Sequence, residues 1–287
     1  MEIACQWQVS AHAAAWTDPA YQALVGDGNR PNCLPCHAPE PLLEQTLAEP
    51  PTLRDAYRED GVDCHACHAY CGAYAGKHHT FGPHSMEQDV TRLPCTEFCG
   101  RCHKQEMEEY DEFYAANVPA DSLATCAGCH MPRYTSRLTQ GHLLSLIHPE
   151  RSVPDHSFPI WNPVVTAGAV EIVDLRGEPA ADGNWLVRTT VLNRGAGHLI
   201  PTGKFGYREV RVLAEILDDQ AQVLAEAEQS LFARSPEALV PGKPAEFALS
   251  LLLARAGRPH HVRLTVERVD KGRRFRYALA QREIVLP

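Results

Sequence analysis

The sequence predicts an α+β protein with two regions: a mostly helical and loop-rich region over residues 1–163, and an antiparallel β-sandwich of immunoglobulin type over residues 164–287. Three observations lead to this division. All eleven cysteines lie at or before Cys129. Residues 1–165 carry 10 Lys and Arg against 21 Asp and Glu, whereas residues 166–287 carry 17 against 15. The second region is also rich in alternating, β-branched segments.

In the first region, proline, glycine and short polar stretches interrupt the chain often, and long periodic runs are few. Brief helices are expected, for example over Gln105–Asn117. The pattern therefore predicts short helices joined by long loops.

The second region begins near Val164 and alternates apolar and polar residues between turn sequences such as ADGN, DDQ, VPGKP and DKGR. Short strands at this spacing are typical of an antiparallel sandwich of immunoglobulin type. The strands are predicted at Val170–Leu175, Trp185–Asn193, Val210–Asp218, Ala245–Leu253 and Val262–Val269.

Charge and hydropathy argue against two kinds of partner. A nucleic-acid-binding protein needs a basic face, and the first region is acidic, so no nucleic acid is expected. No run of eighteen apolar residues occurs, so no membrane span is expected. An acidic surface suits a basic redox protein as a partner, although a solvated face explains it equally well.

The strongest signal is the motif C-x-x-C-H, which occurs four times. Two cysteines at this spacing can form thioether bonds to the two vinyl groups of one haem, and the next residue is the proximal iron ligand. The motifs therefore predict a tetrahaem cytochrome c domain with four covalently attached haem c groups. The attachment residues are Cys33, Cys36, Cys64, Cys67, Cys99, Cys102, Cys126 and Cys129, and the proximal ligands are His37, His68, His103 and His130.

Zinc is the main alternative, because paired cysteines also make tetrahedral thiolate sites. Zinc has no use for a histidine directly after every second cysteine, which favours haem. A thioredoxin-like redox pair is disfavoured for the same reason and because no βαβ pattern surrounds the motifs. Four haems in this region leave about 40 residues for each, near the size below which a chain seldom builds its own core. The haems are therefore expected to form most of the core.

The second axial ligand of each iron is predicted to be histidine. Methionine is scarce, and Met131 directly follows a proximal histidine, too close to reach the other face of that haem. An iron with two histidine ligands has no open position for substrate and carries electrons. His65 is set aside because it lies inside a motif, and His260 and His261 because they adjoin a strand.

A set of segments in fixed order carries a resemblance to a known family. The order is QWQVSAH, which contains W-x-x-S-x-H, then CLPCHAPEPL, EDGVDCHACH, FGPH, FCGRCH, CAGCHMP and DHSF. Together they resemble the exported multihaem c-type cytochromes related to the tetrahaem electron carrier of ammonia-oxidising bacteria. One branch of this group forms tetrahaem extracellular filaments, or nanowires. The resemblance covers essentially all of residues 5–160.

The resemblance implies three distal ligands. In that family the histidine of W-x-x-S-x-H binds a haem iron, which carries over to His12. Histidines near the G-P turn and in the H-x-F segment play similar parts, and these match His84 and His156. His79 and His142 are the replacements to consider first.

The segment GAGHLIPTG implies a fourth distal ligand, His198. It resembles an element of multihaem cytochromes with β-sandwich extensions, in which a histidine reaches back to the haem region. Glycines on both sides allow close approach to a flat porphyrin, and Pro201 stiffens the loop. His198 is therefore expected to bind the iron of a haem attached to the first region. The alternative is a turn histidine in an ordinary loop.

The cysteines outside the motifs are Cys5, Cys71 and Cys95. A disulfide between Cys71 and Cys95 is expected, because spare thiols of exported proteins tend to pair. Cys5 is then unpaired, paired across subunits, or in that bridge in place of one of the others. Longer relatives have a further C-x-x-C-H where this chain has only Cys5, so the haem partner of His12 stays open and includes a haem of another subunit.

The function expected from these residues is electron transfer through four stacked bis-histidine haems, in an exported protein that is periplasmic or extracellular. No secretory signal is visible, so the sequence is expected to be a mature or trimmed form. Other redox proteins are the expected partners, together with further copies of the chain in a homopolymer. The alternative is a multihaem redox enzyme acting on a small nitrogen or sulfur oxyanion at one five-coordinate haem, and no catalytic residues are assigned.

Overall fold

The computed structural model describes residues 2–26, 30–76, 86–87, 93, 96–119, 123–137, 149–159, 166, 168–180, 183–203, 208–233, 235–253, 257–270 and 275–286. It contains both helices and antiparallel sheets, so the α+β class is confirmed. Contacts between residues in space divide the chain into two compact units. Unit 1 is Met1–Lys104 with Ala124–Ile160, and unit 2 is Gln105–Leu123 with Trp161–Pro287.

The division into a tetrahaem region 1–163 and a β-sandwich region 164–287 stays a prediction, and the two units depart from it in one segment. Residues Gln105–Leu123 lie before the predicted boundary but cluster with the strands of unit 2. This segment begins two residues after His103, which is the histidine of the third C-x-x-C-H motif. The immunoglobulin type of the β-region stays a prediction.

The helices are short, as the frequent proline and glycine of this part of the chain indicate. They are α1 Glu2–Gln8, α2 Pro19–Val25, α3 Leu34–His37, α4 Cys64–His68, α5 Thr96–Gly100, α6 Lys104–Glu109 and α7 Cys126–His130. Single 3-10 turns occur at Pro31–Cys33, Leu42–Glu44 and Arg58–Asp60, and a π-helical turn, Tyr110–Ala115, follows α6.

Unit 1 has little sheet and a small apolar core. Its strands are β1 Ala69–Tyr70, β2 Ala73–Ala75, β3 Met86–Glu87, β4 Arg133–Ser136 and β5 Arg151–Pro154. Among its described residues, one cluster of buried apolar side chains forms, from Leu42, Leu43, Ala75 and Phe98. Further buried apolar side chains of this unit, such as Tyr21, Val25 and Val153, lie outside that cluster.

Unit 2 contains two antiparallel sheets. Its strands are β6 Val170–Pro179, β7 Trp185–Asn193, β8 Arg208–Leu217, β9 Val223–Phe232, β10 Pro244–Leu251, β11 His261–Asp270 and β12 Phe275–Val285. One sheet has the order β10-β7-β6 and the other β12-β11-β8-β9. Both sheets contribute to one core, which includes the fully buried Val187, Val191, Val212, Ile216 and Leu264.

The predicted strands are present, and alternation explains them. Along β10, Phe247, Leu249 and Leu251 face the core, while the residues between them are exposed. Two further strands, β9 and β12, carry no such pattern in the sequence, since Glu, Ala, Gln and Arg interrupt them. They are held by pairing to β8 and β11. Within the described residues, no helix is both long and apolar enough to cross a membrane.

Candidate cofactor-attachment site

Each of the four C-x-x-C-H motifs forms one turn of helix. Three of them coincide with α3, α4 and α7, and the third continues α5 into a turn in which the His103 amide donates to the Cys99 carbonyl at 3.0 Å. Residues at positions i, i+3 and i+4 share one face of a helical turn. In every motif the two cysteines and the histidine are therefore directed to one side, as attachment of a single planar group requires.

Polar caps start two of these turns. The Asp63 carboxylate accepts a hydrogen bond from the Ala66 amide at 2.8 Å, and the Thr125 hydroxyl accepts one from the Gly128 amide at 3.0 Å. Arg54 also pairs with Asp63 at 2.7 Å, and both side chains are largely buried. The second motif is thus held by a cap and an ion pair that share one carboxylate.

Asp63→Ala should lower the free energy of unfolding by about 1 kcal/mol for the lost cap and by a further 1–3 kcal/mol, roughly, for the guanidinium left without its carboxylate. Asp63→Asn keeps an acceptor for the Ala66 amide, so it should lose only the second part. Denaturant unfolding of the haem-loaded protein measures both. Equal stability of Asp63→Ala and the parent would contradict this role.

In four of the described histidines, the Nδ1 atom contacts a backbone carbonyl. The Nδ1 atom lies 2.6 Å from the Ala15 oxygen in His37 and 2.9 Å from the Ala75 oxygen in His68. In His156 it lies 2.9 Å from the Pro154 oxygen, and in His198 it lies 2.9 Å from the Leu199 oxygen. A carbonyl only accepts, so Nδ1 carries the proton and Nε2 the lone pair that binds a metal ion.

Two pairs of imidazole rings lie at the same separation. The ring centroids of His12 and His103 are 6.1 Å apart with an interplanar angle of 68°, and those of His68 and His156 are 6.1 Å apart at 35°. Two imidazoles bound on opposite sides of one metal ion have centroids about 6 Å apart, because a metal–nitrogen bond is about 2.0 Å long and that nitrogen lies about 1.1 Å from the ring centre. The separation in each pair therefore matches the one expected for two imidazoles that bind the same metal ion.

The W-x-x-S-x-H segment places the first of these rings. The Trp7 indole donates to the Val62 carbonyl at 2.8 Å, and the buried Ser10 hydroxyl accepts from the Ala13 amide at 3.2 Å. The Val62 amide donates to the His12 carbonyl at 3.0 Å. A Cβ at Gly61 would lie 2.5 Å from that carbonyl, so only glycine fits beside it.

The DHSF segment lies against the same N-terminal segment. The Asp155 carboxylate accepts from the Ser157 amide at 2.7 Å and forms a tight turn, and the His156 amide donates to the Gln6 side chain at 3.1 Å. The Phe158 ring meets the His12 ring edge-on with centroids 4.3 Å apart. Two segments far apart in the sequence are thereby brought to one place in unit 1.

Burial favours the neutral form of the His12, His37 and His156 imidazoles. It lowers the pKa of His12 to about 4, with a further lowering from His103 nearby. Burial also lowers the pKa of His37 and of His156, against the raising effect of the carbonyls that their Nδ1 atoms contact. The neutral imidazole is the form that binds a metal ion.

The cysteines of the third motif lie beside cysteines of the other motifs. Cys102 is hydrogen-bonded to Cys36 and lies near Cys67, and Cys99 is hydrogen-bonded to Cys126. The bond to Cys36 and then burial raise the pKa of Cys102, and the bond from Cys99 lowers that of Cys126 to about 7 against the effect of burial. The third motif is therefore the meeting point of all four.

Tyr21 gives a further test of whether a group fits here. Its ring stacks on His37 with centroids 3.7 Å apart and an interplanar angle of 5°. Its hydroxyl is buried with no hydrogen-bond partner among the described residues, and burial, followed by Cys33 and Cys36, raises its pKa to about 12. A buried hydroxyl of this kind marks a place where an additional group is expected. The donor set and this hydroxyl both fit haem at the first motif.

The loop that carries His198 is held within unit 2 by a buried carboxylate. Glu109 accepts from the Thr202 hydroxyl at 2.6 Å and from the Leu199 amide at 3.1 Å, and Gln105 donates to its other oxygen at 2.7 Å. Asn193 donates to the His198 carbonyl at 2.8 Å. The loop is therefore a fixed element of unit 2, although no sequence pattern marks Glu109 for this part.

Several predicted residues lie outside the described part of the chain. These are His84, the two replacement ligands His79 and His142, and Cys95, the expected partner of Cys71. The ten described cysteines form no disulfide with one another. Among the described residues, no three His, Cys, Asp or Glu side chains form a group that could hold a metal ion by themselves. The remaining proximal histidine, His130, ends α7.

Comparisons with known proteins place the fold. No protein-family model matches the chain, and no curated protein matches it. The chain is similar in structure to a penta-heme cytochrome c552 from Thermochromatium tepidum, with 18% sequence identity and a TM-score of 0.63 over 99% of this chain and 96% of that one. The two chains therefore share a fold over nearly their whole length.

Among the other solved structures that match part of the chain are the following two. One is a glycosyl hydrolase family 2 member from Bacteroides cellulosilyticus, with 12% identity and a TM-score of 0.26 over 41% of this chain and 15% of that one. The other is the ApaA protein from Bordetella pertussis, with 16% identity and a TM-score of 0.22 over 41% of this chain and 94% of that one.

Proposed function

We propose that the protein is an exported, periplasmic or extracellular electron carrier that holds four haem c groups through its C-x-x-C-H motifs. The observation that carries the proposal is the pair of imidazole couples, His12 with His103 and His68 with His156, each 6.1 Å apart. Each couple joins one motif histidine to one histidine outside the motifs. The fold similarity to a penta-heme cytochrome supports the same conclusion.

The couples suggest which ligands share an iron. His12 and His103 serve the haem attached at Cys99 and Cys102, and His156 and His68 serve the haem attached at Cys64 and Cys67. Sharing of His12 with a neighbouring subunit then becomes unnecessary.

His84 and His198 remain for the first and fourth motifs, with His79 and His142 as replacements. The Leu199 carbonyl holds the proton of His198 on Nδ1, and Glu109 and Asn193 fix the loop, so its Nε2 has the tautomer of a ligand.

Two histidines on each iron decide the kind of chemistry. Haem supplies one-electron oxidation and reduction at its iron when bound. In each couple the protein would contribute one imidazole from each side of the iron, and backbone carbonyls orient the rings of His68 and His156. An iron held in this way would have no position for substrate. This favours an electron carrier over an enzyme.

The cysteine contacts suggest a branched rather than a linear route. Cys102 is hydrogen-bonded to Cys36 and interacts electrostatically with Cys67, and Cys99 is hydrogen-bonded to Cys126, so the third motif interacts with the other three. Electron transfer between neighbouring haems depends steeply on distance. We infer that electrons cross the chain through the haem at the third motif. Assembly into a homopolymeric filament stays a prediction, as does the identity of partner proteins.

The mass of the denatured protein, purified from an export-competent host, tests the proposal. Four haems should remain covalently bound, and Cys126→Ala with Cys129→Ala should remove one. Cys5→Ser, outside the motifs, should leave all four in place. A chain that retains zinc and no haem under these conditions would refute the proposal.

A further inference from the structure

The third motif contains a buried positive charge. Its residues are Cys99-Gly-Arg-Cys102-His103, and Arg101, between the two cysteines, is 3% exposed. Arginine stays protonated in proteins, so this is a full charge in a site that water reaches poorly. Buried charges usually have a partner of opposite sign.

The hydrogen bonds of this guanidinium go to neutral oxygens. It donates to the Leu42 carbonyl at 2.9 Å, to the Gln45 side chain at 3.0 Å and to the Glu49 carbonyl at 3.1 and 3.3 Å. By contrast, the similarly buried guanidinium of Arg54 has the Asp63 carboxylate at 2.7 Å. The bonds of Arg101 therefore hold the segment between the first and second motifs. The Glu49 carboxylate also interacts electrostatically with the guanidinium, but Glu49 is exposed, so water and salt screen that interaction.

This charge acts on the cysteine sulfurs of two motifs. The guanidinium interacts electrostatically with Cys102 of its own motif and with Cys36 of the first. Electrostatic energies grow as the surrounding dielectric falls, and salt screens buried charges weakly. A fixed positive charge stabilises an added electron nearby, so it raises the reduction potential of a group attached at these sulfurs.

We propose that Arg101 makes the haem at Cys99 and Cys102 the first of the four to be reduced, and raises the potential of the haem at Cys33 and Cys36 to a smaller extent. This inference rests on the proposed haem attachment. The haem at the third motif would then have a definite role, because an electron that enters at another haem would move to the haem with the highest reduction potential.

The experiment first identifies that haem. His12→Ala should remove one low-spin electron paramagnetic resonance signal, which belongs to the haem at the third motif. In the parent protein, the same signal should be the first of the four to vanish during a reductive titration. Loss of no signal in His12→Ala refutes the ligand assignment, whereas late reduction of the identified signal refutes the role of Arg101 alone.

Charge variants then separate electrostatics from structure. Arg101→Gln and Arg101→Met remove the charge and should shift the midpoint potential of the identified haem downward. Arg101→Lys keeps the charge, so this variant should show a much smaller downward shift. Arg137→Gln removes an exposed charge of unit 1 that pairs with Glu150, and should leave the order of reduction unchanged. An unshifted potential in a neutral variant that retains four haems would overturn the proposal. If neither neutral variant retains four haems, the titration of the parent protein decides.

Discussion

His156→Ala is expected to convert one of four low-spin haems to the high-spin state and to leave the other three unchanged. The ring centroid of His156 lies 6.1 Å from that of His68, and its Nδ1 contacts the Pro154 carbonyl, so its Nε2 carries the lone pair that would bind the iron. Without the His156 ring, the iron held by His68 would have water, a weaker ligand, in place of the second imidazole. Electron paramagnetic resonance of the oxidised protein measures the change.

His65→Ala is the matched control. This histidine lies inside the second motif and close to the same site in sequence, but its ring is hydrogen-bonded to the Tyr74 hydroxyl at 2.9 Å. All four haems should stay low-spin in this variant. Four low-spin haems in His156→Ala as well would show that another residue binds the iron opposite His68.

Leu251→Ala is expected to lower the free energy of unfolding of the β-unit by about 2–5 kcal/mol. Leu251 is fully buried in the core shared by both sheets, where the structure around a deleted side chain relaxes only in part. The loss is a large part of the total stability of a typical domain, about 5–15 kcal/mol. Denaturant unfolding followed by far-ultraviolet circular dichroism measures it.

The neighbouring leucine gives a control of identical chemistry. Leu252 is 72% exposed, so Leu252→Ala should change the stability by about 0.5 kcal/mol or less. Similar losses in both variants would contradict the register of β10, in which Leu251 pairs with Trp185 and faces the core.

Much of the site could be predicted because its chemistry depends on local spacing. The C-x-x-C-H motif brings two thiols and an imidazole to one face of a single helical turn, which requires no tertiary information. The same holds for Trp7 and Ser10, whose hydrogen bonds place the segment ending at His12. The strands of the β-region could likewise be predicted where apolar and polar residues alternate along the chain.

The remaining features depend on contacts between distant residues. Nothing in the sequence around His12 or His156 indicates which motif each would meet, because that depends on how the segments fold together. Glu109 is an ordinary acidic residue in a helix until the loop of His198 lies beside it. The sequence shows a charged residue, Arg101, between two motif cysteines. Only the structure shows that this residue is buried and that its hydrogen bonds go to neutral oxygens. Strand β9 is held by its neighbour rather than by its own pattern.

The central claim is that every iron in this protein has two histidine ligands. Electron paramagnetic resonance of the oxidised, haem-loaded protein tests it most directly. The expected result is four low-spin haems and no high-spin signal. A high-spin signal that accounts for one of the four haems and responds to added small anions would contradict the claim and point to an enzyme.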